Sequence, residues 1–154
     1  MVHSHILSRL DYCNVLLVGI SATQIKKLQK VLNAAIRYIF NLNKRQSVHS
    51  YGKTCHFLPV KFRIFYKSCL TVYKTLYNLA PAYLEELAQP MLRNRDNLRS
   101  ELDYLLLQYP NSSKTLRYYL VNNWNSLPFE LRCIPTIERF KSSLKTFCFN
   151  KAYN

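Results

Sequence analysis

SATQIKKLQKVLNAAIRYIF, Ser21 to Phe40, is the stretch whose reading decides the fold class. Ser21 or Thr23 offers a side-chain oxygen to cap a helix that runs to about Phe40. Ile25, Leu28, Leu32, Ala35, Ile36 and Ile39 recur at helical spacing and form one inward face. Lys26, Lys30 and Arg37 fall at i, i+4 and i+11 on a different face, with Asn33 beside them. The segment therefore reads as an amphipathic helix with a basic stripe along one edge.

The same period extends outward in both directions. Upstream, Ile6, Leu10, Cys13 and Leu17 share a face of a helix expected over Ser4 to Val18, with Gly19 as its stop. Downstream, Asn41 to Leu58 reads as a basic, polar connector containing Gly52. Pro59 suits the first turn of a further helix reaching Leu79. Its buried stripe is Phe62, Phe65, Cys69, Val72 and Leu76; Tyr66, Tyr73 and Tyr77 line the edge, and Arg63, Lys67 and Lys74 lie just beyond. A short helix starts at Pro81, an Arg- and Asn-rich linker follows from Pro90, and Tyr104 to Tyr109 is a candidate strand or extended piece. A helix over Thr115 to Asn123 and a turn at Leu127 and Pro128 come next. After Pro135, Ile137, Phe140, Leu144, Phe147 and Cys148 share the face of a terminal helix. The expected fold class is mainly α with little or no β: a helical bundle-like segment over residues 1–89, a linker with a candidate short strand over 90–115, and a looser helical segment over 116–154.

Composition sets the broad class. At 154 residues, with 49% apolar and 14% aromatic side chains, the chain is long and apolar enough to build a core, unlike a disordered sequence. Two glycines in that length favour helices over a turn-rich sandwich or barrel. The net charge is +14, and no acidic residue occurs between Asp11 and Glu85, where eleven Lys and Arg stand. A field of one sign over half a domain attracts polyanions, of which nucleic acid is the commonest. A merely solvated basic surface and an anionic membrane surface are the competing readings. Cations beside Tyr66, Tyr73 and Tyr77 are the arrangement that holds a phosphate backbone while stacking bases. The tyrosines would equally close the edge of a core.

Five cysteines without a CxxC pair fit a reducing compartment better than a disulfide framework. With no secretory leader and no apolar run of membrane-spanning length, the expectation is an intracellular protein of nucleus or cytoplasm, with no membrane contact.

The familiar catalytic devices are missing. Gly19 and Gly52 cannot build a glycine-rich phosphate loop, and there is no GxSxG elbow. His49, Cys55 and His56 lack the paired spacing of a zinc site, so neither metal nor cofactor is expected. Polymerase chemistry requires paired carboxylates for two metal ions, and the eight acidic residues are scattered.

Six strings together resemble one family. SRLDYCNVLL (Ser8 to Leu17) and KLQKVLNAAIRYI (Lys27 to Ile39) resemble the SRLDYCN…KLQ.VQNAAAR pattern of jockey-like, LINE-type (non-LTR) retrotransposon reverse transcriptases. HFLPVKFRIFYK (His56 to Lys67), YKTLYNLAPAYLEEL (Tyr73 to Leu87), WNSLPFELR (Trp124 to Arg132) and FKSSLKTF (Phe140 to Phe147) are similar to later motifs of that family, in order. The resemblance covers about Ile6 to Ala152. Phe57 stands where the family usually has Trp, Val121 to Asn123 where it usually has an AP, and Leu105 to Pro110 echoes its LxVPR piece loosely.

What the resemblance implies is the thumb and post-thumb region, with the catalytic aspartates and the endonuclease upstream of this chain. The expected function is thus non-catalytic: gripping the RNA or DNA backbone of a primer–template without reading sequence. Lys26, Lys30, Arg37, Arg63, Lys67 and Lys74 are the candidate phosphate contacts, and Tyr66, Tyr73 and Tyr77 the candidate stacking partners. Asp11 is expected in a structural cap or ion pair, and Trp124 as a core or interdomain anchor. The alternative is a decayed remnant or a host-adapted protein-interaction module. Its exposed apolar faces would have packed on the missing polymerase palm or would now bind another protein.

Overall fold

The computed structural model describes residues 3–90 and 105–154, and over them the chain is mainly helical. In order come a π-helical turn (His3–Leu7), α1 (Ser8–Asp11), a 3-10 turn (Asn14–Leu17), α2 (Ala22–Phe40), α3 (His49–Thr54) and α4 (Val60–Leu76). A 3-10 segment (Ala82–Leu87), α5 (Leu116–Asn125), α6 (Phe129–Arg132) and α7 (Ile137–Tyr153) complete the series. The candidate strand shrinks to a single antiparallel bridge between Pro90 and Leu107; most of the linker, residues 91–104, lies outside the described residues.

Two compact units emerge, and they cut across the expected division rather than following chain order. The first joins Met1–Phe65 to Thr146–Asn154; the second is Tyr66–Lys145. The boundaries fall inside α4 and inside α7.

In the first unit, α2 starts on a reciprocal cap. The Ser21 hydroxyl accepts from the Gln24 amide, and the Gln24 side chain accepts from the Ser21 amide. The helix stops at Asn41, whose left-handed backbone (φ 51°) lets the Leu42 amide donate back to the Arg37 carbonyl. Asn78 (φ 54°) ends α4 in the same way, with the Leu79 amide donating to Lys74. Leu7, Leu10, Leu32, Ile36, Val60 and Ile64 form the core of this unit. The helix expected over Ser4 to Val18 is broken. Cys13 adopts a left-handed conformation (φ 48°), and the buried Asn14 side chain donates to the Leu10 carbonyl, competing with the helical ladder. Cys13 is consequently exposed, not on a buried face. Ile39, expected inward, is 42% exposed.

The connector expected over Asn41 to Leu58 contains α3, and Gly52 is the reason it packs. Gly52 is buried, and a β-carbon there would lie 2.8 Å from the Tyr153 hydroxyl and 3.5 Å from an Ile36 methyl. Tyr153, in the last turn of α7, donates its hydroxyl to the Phe57 carbonyl and sets its ring edge against His49 at 5.0 Å. Burial raises its phenol pKa, with Cys55 adding to the rise, which keeps the donor protonated. Phe149 packs between Tyr153 (4.7 Å) and His56 (5.5 Å).

In the second unit, Trp124 is the core anchor. It is fully buried, its indole N–H donates to the Leu105 carbonyl at 2.7 Å, and Phe140 lies 5.9 Å away. Thr115 caps α5 by accepting from the Tyr118 amide. The Asn125 side chain pairs with both backbone groups of Leu107. The buried arc of α4 is wider than the expected stripe: Val60, Ile64, Ser68, Cys69, Val72, Tyr73 and Thr75 are buried, whereas Phe62, Phe65 and Leu76 are half-buried.

Gly52→Ala is expected to destabilise the protein by about 1–3 kcal/mol, since overpacking against Tyr153 exceeds the gain in helix propensity. In a Tyr153→Phe background the hydroxyl is gone and the nearest remaining contact is the Ile36 methyl at an ordinary 3.5 Å, so the same change should cost far less. Urea midpoints of the four proteins check this coupling; additive effects would refute it.

Candidate nucleic-acid interface

The charge is segregated between the two units. The first unit carries eleven Lys and Arg against one acidic residue, Asp11, a net of +10; the remaining +4 belongs to the second. Asp11 is bound by both arms of Arg63: Nε donates to Oδ1 at 2.9 Å and a terminal nitrogen to Oδ2 at 2.7 Å. Both side chains are largely withdrawn from solvent, at 14% and 30% exposure for Arg63 and Asp11. A bidentate guanidinium–carboxylate pair of this kind fixes α1 against α4 and neutralises both members. Asp11 thus takes the structural pairing expected of it, and Arg63 is occupied in the fold.

The other expected phosphate contacts separate. Lys26 and Lys30 are exposed on α2, and Lys27 beside them is exposed too. Arg37 is half-buried and donates to the Gln46 carbonyl at 3.4 Å, so its guanidinium closes the end of α2 over the following loop. Lys67 and Lys74 are half-buried in the second unit. Lys44, Arg45, Lys53 and Lys61 are exposed in the first unit as well, so they add to the positive charge of Lys26, Lys27 and Lys30. Spacing on a single helix could not reveal this wider set, because Lys44, Arg45 and Lys53 come from the presumed connector.

Among the aromatic candidates, Tyr73 belongs to the core. It is fully buried, stacked on Phe140 at 4.2 Å and on Tyr77 at 4.4 Å, and its hydroxyl donates to the Ile134 carbonyl at 3.0 Å. Desolvation raises its phenol pKa, with Tyr77 and Glu138 adding to the rise. Tyr66 and Tyr77 are half-buried. A stacking platform requires an open ring face, and Tyr73 has none.

A pocket of about 250 Å³ lies within the first unit beside the basic edge of α2. Gln29, Asn33, Ser47, His49 and Tyr153 supply its polar groups, with Phe57, Pro59 and aliphatic side chains between them. In the sequence Asn33 stands out only as a neighbour of the cations on α2. Among the described residues, no group of three or more His, Cys, Asp or Glu is placed to hold a metal ion, and no helix is long and apolar enough to cross a membrane. Cys69 and Cys148 are buried, and burial pushes the Cys148 pKa up to about 12, only partly offset by Lys151.

Tyr73→Leu is therefore expected to lower stability by roughly 2–4 kcal/mol through a lost ring stack and an unpaired Ile134 carbonyl. Its nucleic-acid affinity, measured well below the melting temperature, should match that of the parent. A selective loss of single-strand binding in a stable variant would return Tyr73 to the interface.

In comparison with known proteins, the chain matches no family model, no curated protein and no solved structure.

Proposed function

We propose that this chain is a non-catalytic nucleic-acid-binding module, a reverse-transcriptase thumb-like segment that grips the sugar–phosphate backbone without reading sequence. The observation that carries the reading is the charge of the first unit: a net of +10 whose one acidic group is already paired with Arg63. With that carboxylate consumed, no acidic side chain of the unit opposes an approaching phosphate. Lys26, Lys27 and Lys30 on α2 are the leading contacts, supported by Lys44, Arg45, Lys53 and Lys61. Such cations hold phosphates by Coulomb attraction and counterion release, which is indifferent to base identity. The family resemblance supports the same assignment, and the scattered acidic residues argue against polymerase chemistry in the chain itself.

The second reading is a protein-interaction module. It is favoured by exposed Tyr12 (79%), Leu16 (65%) and Tyr38 (77%) in the first unit.

Binding should weaken steeply with salt. Contact with about 5 phosphates gives a log–log slope of about −3.5 to −4.5. Replacing Lys26, Lys27 and Lys30 by Gln should leave the melting temperature nearly unchanged, because exposed charges contribute little to stability and Lys26 and Lys30 repel each other at i, i+4. Affinity should fall, and the slope should shrink by about one unit per lost contact. A flat salt dependence in the parent, or undiminished binding by the triple variant, would favour the protein-interaction reading.

A further inference from the structure

We infer that the pocket beside α2 receives one unstacked nucleobase of the strand whose phosphates the α2 lysines hold. The inference rests on the backbone-grip reading and adds to it a site for a base.

The donor pattern of the pocket follows from one backbone group. The Val60 amide can only donate, and it donates to the Gln29 side chain at 2.8 Å, so the oxygen of Gln29 faces α4. Gln29 must then turn its NH2 group the other way, where it donates to the Asn33 oxygen at 2.9 Å. Asn33 is thereby left presenting its own NH2 group, and Gln29 retains one further N–H. The pocket wall thus offers amide donors in a fixed orientation. A carbonyl oxygen or ring nitrogen on the edge of a planar ring is the acceptor that suits them.

Size and polarity narrow the ligand further. About 250 Å³ lies below the ~300–1,000 Å³ typical of sites for drug-sized ligands and cofactors, so it suits a single ring system. Phe57, His49 and Tyr153 contribute ring surfaces to the lining, and α2 adds Leu32 and Ile36 beside polar Asn33. No Lys or Arg lines it, so a phosphate gains nothing by entering. The cations stand instead just outside. Lys30 lies three residues before Asn33 and is its neighbour on the surface of α2, with Lys26 one turn further along the same side. Uncharged amides inside and ammonium groups at the rim match the division of a nucleotide into base and phosphate.

The test compares labelled oligothymidylate with an abasic sugar–phosphate strand of equal length and charge. At one salt concentration the parent should bind oligothymidylate about tenfold more tightly, the value of roughly one base contact. Asn33→Ala, which removes the donor, and Ser47→Phe, which fills the mouth from an exposed position, should each bring oligothymidylate down to the abasic affinity. Neither variant should change abasic affinity or the salt slope. Should Asn33→Ala fail to fold, Ser47→Phe carries the comparison alone. Equal binding of the two strands by the parent, or a ratio that both variants preserve, overturns the base pocket while leaving the backbone grip standing. Absence of salt-dependent binding to either strand overturns both.

Discussion

The hydrogen bond from the Val60 amide to the Gln29 side chain organises the first unit. The first N–H groups of any helix lack intrahelical partners, and Pro59 in front of α4 brings no donor or acceptor side chain to help. Gln29 reaches across 31 positions of sequence to satisfy the Val60 donor, in a place where Val60 itself is 1% exposed. A buried amide without that partner would lose its hydration with nothing in return, about 1–3 kcal/mol. The bond also joins the two helices that supply Leu32, Ile36, Val60 and Ile64 to the core. From the same atom pair follow the orientation of Asn33 and the polarity of the pocket wall.

Electrostatics adds a second constraint. A unit with a net of +10 repels itself, and its fold must be held by something other than charge balance. Buried aliphatic contacts, the Ser21 capping box and the ring cluster around Tyr153 do this. Arg63 and Arg37 are the exceptions that serve the fold, one through Asp11 and the other through the Gln46 carbonyl. Lysines make up most of the remaining exposed cations of the unit. The planar five-donor heads of Arg63 and Arg37 meet specific acceptors, whereas the exposed α2 lysines, mobile point charges, suit a diffuse one.

Much of the architecture was legible along the chain because it depends on local pattern. The mainly helical class, the Ser21 cap, the end of α2 near Phe40 and the buried face of α7 at Phe140, Leu144 and Cys148 all come from spacing within one helix. What escaped depends on contacts distant in sequence or on single backbone angles. The helix α3 is six residues long with no apolar period, and it exists because Gly52 fits under Tyr153, about a hundred positions away. The left-handed turn at Cys13 has no glycine to announce it. Tyr73 reads as an edge residue from the helical wheel of α4 alone, yet Phe140 covers its face. For the candidate interface, Lys26, Lys30 and Arg37 are legible as a stripe on α2, whereas Arg63 leaves the set of phosphate contacts on α4 only once the position of Asp11 is known. The pocket was invisible, since its wall combines α2 with the loops before and after α3 and with Tyr153.

That the first unit is assembled from Met1–Phe65 and Thr146–Asn154 has a consequence for how the protein is born. At ribosomal rates of about 5–20 residues per second, Gly52 and Phe57 leave the synthesis machinery on the order of 10 s before Tyr153 is even made. During that interval α2, α3 and the start of α4 stand without the rings that seat α3, while the second unit (Tyr66–Lys145) is synthesised in between. The half-built unit is rich in cations and has an unfinished apolar face, and polyanionic RNA is abundant around a ribosome. The nascent chain, carrying most of the cations of that unit, is therefore surrounded by polyanion while its own fold is still open.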